Sequence, residues 1–117
     1  MKAAGVKRIV ALGGAGVLDH PEGGLAIDQE SYPPEYIPVG KEHQKAWETL
    51  VDSGLDWTFV CSPDIINADV SGGFLTAVNQ LPEGAKGHIN AGDLALSMLQ
   101  ELDRNSHIRE RVGVSAV

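Results

Sequence analysis

The fold of this chain is decided by one stretch, Ser53-Gly54-Leu55-Asp56-Trp57-Thr58-Phe59-Val60-Cys61-Ser62-Pro63-Asp64. Gly54 predicts the end of a helix, because glycine adopts the positive φ of a helix C-terminus at little cost. Residues 57–61 are rich in aromatic and β-branched side chains and are continuously apolar apart from Thr58, which predicts a strand buried on both faces, as in a parallel sheet. Pro63 has no N–H to donate, so we expect the strand to end there. Ligands of open parallel sheets bind beyond the carboxyl ends of the strands, which places a candidate site at residues 62–66.

The segments upstream of this stretch predict a helix and a second strand. Residues 41–52 predict an amphipathic helix whose apolar face holds Ala46, Trp47, Leu50 and Val51. The chain from Lys7 to Leu12 predicts a strand that runs into Gly13-Gly14-Ala15-Gly16. A dinucleotide-binding fingerprint would need glycine at position 19, where the chain has aspartate followed by a turn. The glycines therefore indicate a strand exit with close backbone approach.

Residues 19–40 predict a long, acidic, proline-rich loop. It contains four prolines and five acidic residues but neither lysine nor arginine. Structureless segments of this length in small domains are usually lids, binding loops or disordered. Its acidity disfavours a phosphate ligand, whereas Tyr32 and Tyr36 suit an apolar or aromatic one. His20 stands beside Asp19 and Glu22, but no further ligand follows at a suitable spacing, so we predict no metal site.

The second half of the chain alternates turns, short strands and one helix. Gly72-Gly73 predicts a turn, and residues 74–80 favour a strand, with a short helix as the alternative. After a turn cluster at residues 81–87, residues 88–89 predict a strand and Asn90 with Asp93 a helix-capping pair. The apolar face of that helix, which runs through about residue 104, comprises Leu94, Ala95, Met98, Leu99 and Leu102. Residues 112–117 predict a terminal strand, and residues 1–4 the last turn of a helix capped by Gly5. This alternation predicts one α/β domain, residues 1–117, with a mainly parallel sheet.

The composition of the chain limits the classes of partner that it can bind. The chain has 117 residues and a net charge of −7, which argues against binding to nucleic acid or to an anionic membrane surface. No apolar run approaches the ~20 residues of a membrane-spanning helix. The first residues lack the apolar core of a signal peptide, so we expect a cytoplasmic protein. Cys61, the single cysteine, lies in the predicted buried strand and is expected to be an inert thiol.

Three stretches carry a resemblance to a known family: MKAAGVKRIVALGG (1–14), HQKAWETLVDSGLDWTFVCSPDII (43–66) and INAGDLALSML (89–99). They resemble the second half of an atypical short-chain dehydrogenase/reductase, in the NAD(P)H-binding, NmrA-like subgroup that includes the biliverdin-IXβ (flavin) reductases. The resemblance implies the C-terminal half of a Rossmann-like, doubly wound sheet, without the N-terminal glycine-rich βαβ unit. It also implies that the chain begins at the helix before the fourth strand of the family fold.

Several family side chains are missing from the matching positions. The serine or threonine that the family carries after its fourth strand matches Gly13 and Gly14. The Tyr-x-x-x-Lys pair matches Gly40 and Gln44. The resemblance therefore implies a chain that is weak or inactive as an enzyme on its own.

Other matching positions keep a candidate role toward NAD(P)H. The strand end at Leu12, Gly13 and Gly14 is expected to line the cofactor with its backbone, with a plain strand-to-loop turn as the alternative. The stretch that packs on the nicotinamide face in the family matches Ser62, Pro63, Asp64 and Ile65.

Two side chains are candidates for the chemistry. His43 matches a histidine of the biliverdin-IXβ reductases and could donate a proton, although a solvated helix residue is the simpler interpretation. Tyr36 could orient a substrate carbonyl, with an ordinary loop aromatic as the alternative. Asp93 is interpreted as a helix cap.

Two functional hypotheses follow. The first is the nicotinamide and substrate side of an NAD(P)H-dependent oxidoreductase, which binds the dinucleotide and an aromatic or apolar small molecule. The second is a non-catalytic remnant or interaction subunit. In the parent fold the strand from Lys7 to Leu12 lies beside the half that is missing here, so its exposed edge would pair with a second copy or a partner chain.

Overall fold

The computed structural model describes residues 6–21, 23–30 and 32–116. The helix end predicted at residues 1–4, its Gly5 cap and Val117 of the terminal strand lie outside the described residues. The strands are β1 (Arg8–Gly14), β2 (Asp56–Ser62), β3 (Asp64–Ile66), β4 (Phe74–Val78), β5 (His88–Asn90) and β6 (Glu110–Ala116). The α-helices are α1 (Ile37–Val51) and α2 (Ala91–Arg104), and short 3-10 helices span Ala15–Val17, Ala26–Asp28 and Pro34–Tyr36. No helix in these described ranges is long and apolar enough to cross a membrane.

The main sheet has four strands in the order β1-β2-β6-β4. β1, β2 and β6 are parallel, whereas β4 runs antiparallel to β6. A second, two-stranded parallel sheet joins β3 to β5. The predicted α/β fold with a mainly parallel sheet is confirmed, and so is the strand favoured for the segment that forms β4. β1 lies at the edge of the main sheet, as expected for the strand from Lys7 to Leu12.

β2 is the centre of the core. Residues 57–61 are each at most 6% exposed, which confirms a strand covered on both faces. Trp57, Phe59 and Cys61 pack with Leu50 of α1, whereas Val60 packs on the other face with Leu94 of α2. The alternation of side chains along the strand therefore gives each face of the sheet its own helix and its own apolar cluster.

Helix α1 begins four residues earlier than predicted, at Ile37 rather than Lys41. Pro38 lies in the first turn, where a helix tolerates proline because the N–H groups there have no helical partner. The predicted apolar face is partly wrong, since Ala46 and Val51 are exposed. Trp47 and Leu50 face inward as predicted, and Gly40 is buried with them. Gly54 has a φ of 72°, in line with its predicted role after the helix.

β1 is also longer than predicted, because it continues through Gly13 and Gly14, which pair with Cys61 and Ser62 of β2. The segment predicted as a loop, residues 19–40, is not structureless in its described part. It contains two 3-10 helices and a bridge between Asp19 and Leu25, and it ends at Tyr36 rather than at residue 40. Ile27 anchors it and is only 6% exposed. Burial of such a side chain gives this segment a fixed position over the sheet.

Helix α2 corrects two predictions. Asn90 occupies the N-cap position, but its side chain makes no capping hydrogen bond. The carboxylate of Asp93 instead accepts hydrogen bonds from the Ser71 N–H (2.7 Å), the Ser71 hydroxyl (2.7 Å) and the Gly72 N–H (2.9 Å). Leu99 and Leu102, which were predicted to face the core, are 62% and 45% exposed.

Candidate functional site

A cavity of about 490 Å³ opens at the carboxyl ends of β1 and β2. The two strands end in register, with Gly14 opposite Ser62, and Pro63 then turns the chain away. The nine residues singled out from the sequence all line this cavity: Leu12, Gly13, Gly14, Tyr36, His43, Ser62, Pro63, Asp64 and Ile65. The structure thus brings residues from four separate segments to one place, as parallel strands do when their carboxyl ends meet at one edge.

The glycines at the end of β1 leave room for neighbouring rings. A Cβ added at Gly13 would collide with the ring of Phe59. A Cβ at Gly14 would lie 2.6 Å from Nδ1 of His43. Gly14 is therefore the reason that the imidazole can lie against the strand end, and His43 is an inward-facing residue rather than a fully solvated one.

The opposite wall comes from the segment before α1 and from the first turns of α1. It comprises Tyr32, Pro33, Tyr36, Val39 and His43. Tyr36 is 45% exposed and Val39 is 50% exposed, so both stand at the mouth. Since His43 and Val39 are four residues apart on α1, one helical face carries the imidazole and the apolar rim together.

Few polar groups face the cavity. Ser62 is 7% exposed, and its hydroxyl forms no hydrogen bond with the described residues. The pKa of Tyr32 is raised by burial and, to a smaller extent, by the neighbouring Tyr36. Asp64 supplies a carboxylate, and neither lysine nor arginine belongs to the described lining.

This lining fits one end of a dinucleotide better than the other. Cavities of roughly 300–1,000 Å³ with apolar walls and few polar groups are typical of small-molecule sites. The space left by Gly13 and Gly14 is taken by the rings of Phe59 and His43, so these glycines offer a ligand their backbone only. A diphosphate is commonly held by cationic side chains, and the described lining offers none, only the carboxylate of Asp64. The described lining is therefore compatible with a flat, apolar ring and offers no cationic side chain to a phosphate.

Two further predictions concern the Cys61 thiol and metal binding. Cys61 is 0% exposed, and burial raises the pKa of its thiol to about 12, with Arg111 acting in the opposite direction. The thiolate that reactivity requires is thus not formed near neutral pH. No group of three or more His, Cys, Asp or Glu side chains capable of holding a metal ion occurs in the described part of the chain.

Sequence reasoning missed several members of the lining: Ala15, Gly16, Pro33, Val39 and Gly87. The sequence suggested that Tyr32 would cover a ligand from the loop, whereas in the structure Tyr32 forms part of the cavity wall. The signal that could have found this wall is the pair Gly16 and Gly40, because two small residues in segments that meet at one edge leave space for a large side chain. Recognising it requires knowing that the two segments face each other.

Residues 1–105 match a protein family described as NAD(P)H-binding. Among solved structures, a putative exported protein from Burkholderia pseudomallei is 32% identical over 97% of this chain, with a TM-score of 0.85. A putative NADH-flavin reductase from Streptococcus pneumoniae TIGR4 is 27% identical over 94% of the chain, with a TM-score of 0.81. A putative epimerase from Bacteroides thetaiotaomicron is 26% identical over 99%, with a TM-score of 0.84.

The chain spans only part of each of these proteins: 57% of the first, 56% of the second and 56% of the third. None of the curated proteins compared with the chain matches it. The family match covers 105 of the 117 residues, and the neighbours share a Rossmann-like α/β architecture with it. The chain belongs to the NAD(P)H-binding family.

Proposed function

We propose that the cavity binds the nicotinamide end of NAD(P)H and that the chain is the nicotinamide and substrate side of a reductase. The observation that carries this proposal is the meeting of all nine candidate residues around one apolar cavity at the carboxyl ends of β1 and β2. The family match supports a dinucleotide as the ligand, and the apolar lining supports its nicotinamide end as the part that the cavity binds.

Each wall has a role in this proposal. The strand end formed by Leu12, Gly13 and Gly14 lines the ring with its backbone, beside the His43 imidazole that lies against Gly14. On the other side the ring packs against the chain from Ser62 to Ile65, where two apolar side chains and one hydroxyl are available. Contacts of this kind hold a flat ring in one orientation, which is what hydride chemistry needs from a protein.

The chemistry that a bound NAD(P)H supplies is a hydride. An acceptor that takes the hydride also needs one proton, and the His43 imidazolium is the group of this chain that could donate it. Tyr36, at the mouth of the cavity, would orient the acceptor from outside. The usual Ser and Tyr-x-x-x-Lys side chains are replaced by Gly13, Gly14, Gly40 and Gln44, so we expect little turnover by this chain alone.

The acceptor that suits this cavity is aromatic or apolar. The mouth is lined by the exposed side chains of Leu12, Tyr36, Val39 and Ile65, which favour a flat, uncharged molecule. The Streptococcus pneumoniae neighbour is a putative NADH-flavin reductase, and this supports a flavin as the first acceptor to test. We place the reaction in the cytoplasm. Because the Burkholderia pseudomallei neighbour is a putative exported protein, this location should be checked by cell fractionation.

Titration of the chain with NADPH and with NADH, followed by calorimetry and by tryptophan fluorescence, tests the proposal. Micromolar binding supports it, and the absence of binding up to millimolar concentrations contradicts it. Two adjacent substitutions give a matched pair. Ile65 lines the cavity and is 50% exposed, whereas Ile66 is 44% exposed and lies outside the described lining. Ile65→Asp should abolish binding, and Ile66→Asp should leave it unchanged.

A second candidate function is that of an interaction subunit. β1 is the edge strand of the main sheet, and Leu12 on it is 45% exposed. An apolar edge with unpaired N–H and C=O groups favours pairing with another strand, here from a second copy or from a partner chain. Sedimentation at tens of micromolar tests self-pairing. A monomer at that concentration would argue against a homodimer.

A further inference from the structure

The side chain of Tyr32 enters a slot between two glycines from different elements. A Cβ added at Gly16 would lie 2.7 Å from the Tyr32 hydroxyl oxygen, and a Cβ at Gly40 would lie 3.1 Å from the same atom. Ile27 lies beside both glycines and closes the slot from the third side. Any residue other than glycine at either position would crowd the hydroxyl, so the slot fixes where this oxygen lies.

The position of this hydroxyl leaves it without a hydrogen-bond partner among the described residues. Trp47 Nε1 is the one fully buried side-chain nitrogen or oxygen without a partner in the described ranges, so the Tyr32 hydroxyl keeps contact with solvent. Because Tyr32 also lines the cavity, a ligand in the cavity could replace that solvent contact.

The groups around the Tyr32 hydroxyl determine which kind of ligand group could replace its contact with solvent. Burial raises the pKa of Tyr32, which keeps the phenol neutral and able to donate a hydrogen bond over the physiological pH range. A neutral donor among apolar walls, with Asp64 nearby and no cationic side chain in the described lining, favours an uncharged acceptor over an anion. A ring carbonyl meets that description.

We propose that the Tyr32 hydroxyl positions the ligand by donating a hydrogen bond to a carbonyl oxygen of a flat, uncharged heterocycle. This inference rests on the proposed function, since it concerns the same cavity. Two polar side chains of this wall rest against the end of β1 and the turn that follows it, His43 against Gly14 and the Tyr32 hydroxyl against Gly16.

Riboflavin is the probe, because it carries ring carbonyls and no phosphate. Its binding to the whole chain is measured by quenching of flavin fluorescence, without dinucleotide. Tyr32→Phe removes the donor and should weaken binding about five- to tenfold. Tyr36→Phe should weaken it less, and Thr49→Val, which removes a hydroxyl from the exposed face of α1, should not change it. The inference is overturned if wild-type chain fails to bind riboflavin, or if Tyr32→Phe binds it as tightly as wild type.

A stability cycle tests the slot without any ligand. Gly16→Ala should lower Tm in the wild-type chain because of the 2.7 Å approach to the hydroxyl oxygen. In the Tyr32→Phe background, where that oxygen is gone, the same substitution should lower Tm much less. Equal losses in both backgrounds would show that the hydroxyl does not lie in the slot. If the chain does not bind NADPH but Tyr32→Phe still weakens riboflavin binding, the proposed function is contradicted and this inference stands.

Discussion

The two helices of this domain cover opposite faces of one sheet, and they bury different kinds of side chain. α1 turns Gly40, Trp47 and Leu50 inward and carries His43 to the cavity. α2 buries Asp93, Ser97 and Glu101 together with Leu94, while Leu99 and Leu102 remain exposed. The α1 face is closed by apolar and aromatic packing. The α2 face is organised by polar side chains that hold neighbouring loops.

The two faces also differ in the contacts that their buried polar side chains make. On the α1 face the cation of Arg111 stands 4.5 Å from the centre of the Trp47 ring. On the α2 face, Glu101 accepts from Nδ1 of His107 at 2.8 Å when that nitrogen is protonated. Buried polar groups are stable only when they have partners, so we expect each face to fail when its particular partner is removed.

On the α1 face the largest effect is expected from Arg111→Met. Arg111 is 9% exposed, donates to the Val17 carbonyl at 2.7 Å and pairs with Asp19 at 3.0 Å. Its loss removes the contact with Trp47 and leaves a buried carbonyl without a donor. We expect the free energy of unfolding to fall by about 2 kcal/mol, as measured by urea denaturation.

Arg109→Met provides the matched control for this prediction. Arg109 pairs with Asp56 at 3.5 Å, but its side chain is 57% exposed. Exposed ion pairs contribute little, so the control should change stability by less than about 0.5 kcal/mol. Similar losses in the two variants would mean that the α1 face does not depend on the cation at its centre.

On the α2 face the sensitive group is Asp93. Hydrogen bonds from the Ser71 hydroxyl, with further ones from the Gly72 and Ser71 N–H groups, lower the pKa of Asp93 despite its burial. A carboxyl whose folded pKa lies below its unfolded value stabilises the fold above the unfolded pKa, and this stability is lost as the pH falls below about 4. Asp93→Asn should lower Tm by about 8 °C at neutral pH.

The pH dependence separates this role from simple packing. Tm of the wild-type chain should approach that of Asp93→Asn as the pH falls from 5 toward 3, measured by thermal melts. Asp103→Asn, at an exposed position of the same helix, should keep the wild-type profile. A constant difference between wild type and Asp93→Asn across this range would contradict the assigned hydrogen bonds.

A smaller effect is expected at the cavity on the α1 side, from Gly14→Ala. Gly14 has a φ of −109° and a ψ of 162°, a conformation that any residue adopts, so the substitution tests only the contact with His43. The imidazole must rotate away, which should cost about 1 kcal/mol. Adding His43→Ala should remove most of this penalty in a denaturation experiment. A penalty that persists in the double variant would place the strain elsewhere.

The fold was predictable where the signal is local. The apolar run from Trp57 to Cys61 and the proline after it predict both the central strand and the edge at which the cavity opens. Side-chain alternation and the register of parallel strands then place Gly14 beside Ser62. These features depend on a few neighbouring residues, and therefore a single sequence is sufficient to predict them.

What the sequence did not reveal depends on contacts between distant segments. Asp93 looks like a helix cap until the loop at Ser71, which is remote in sequence, is seen to donate to it. Pro38 looks like a helix breaker until the 3-10 turn before it supplies the geometry of a first helical turn. The slot for Tyr32 exists only because Gly16 and Gly40 face each other. No pattern within one element contains that information.

The smallest effect is expected on the outer face of α2, where pattern and structure disagree most. Leu99 and Leu102 follow the helical period of the core, yet they are 62% and 45% exposed. Replacing both by glutamine should change the free energy of unfolding by less than about 0.5 kcal/mol, because little apolar area returns to water. Leu94→Ala, at a position that is 5% exposed, should cost about 2–5 kcal/mol in the same assay. A larger loss in the double glutamine variant would contradict this prediction. If the Tm of wild type then rises with protein concentration and that of the variant does not, a second copy covers this face in solution.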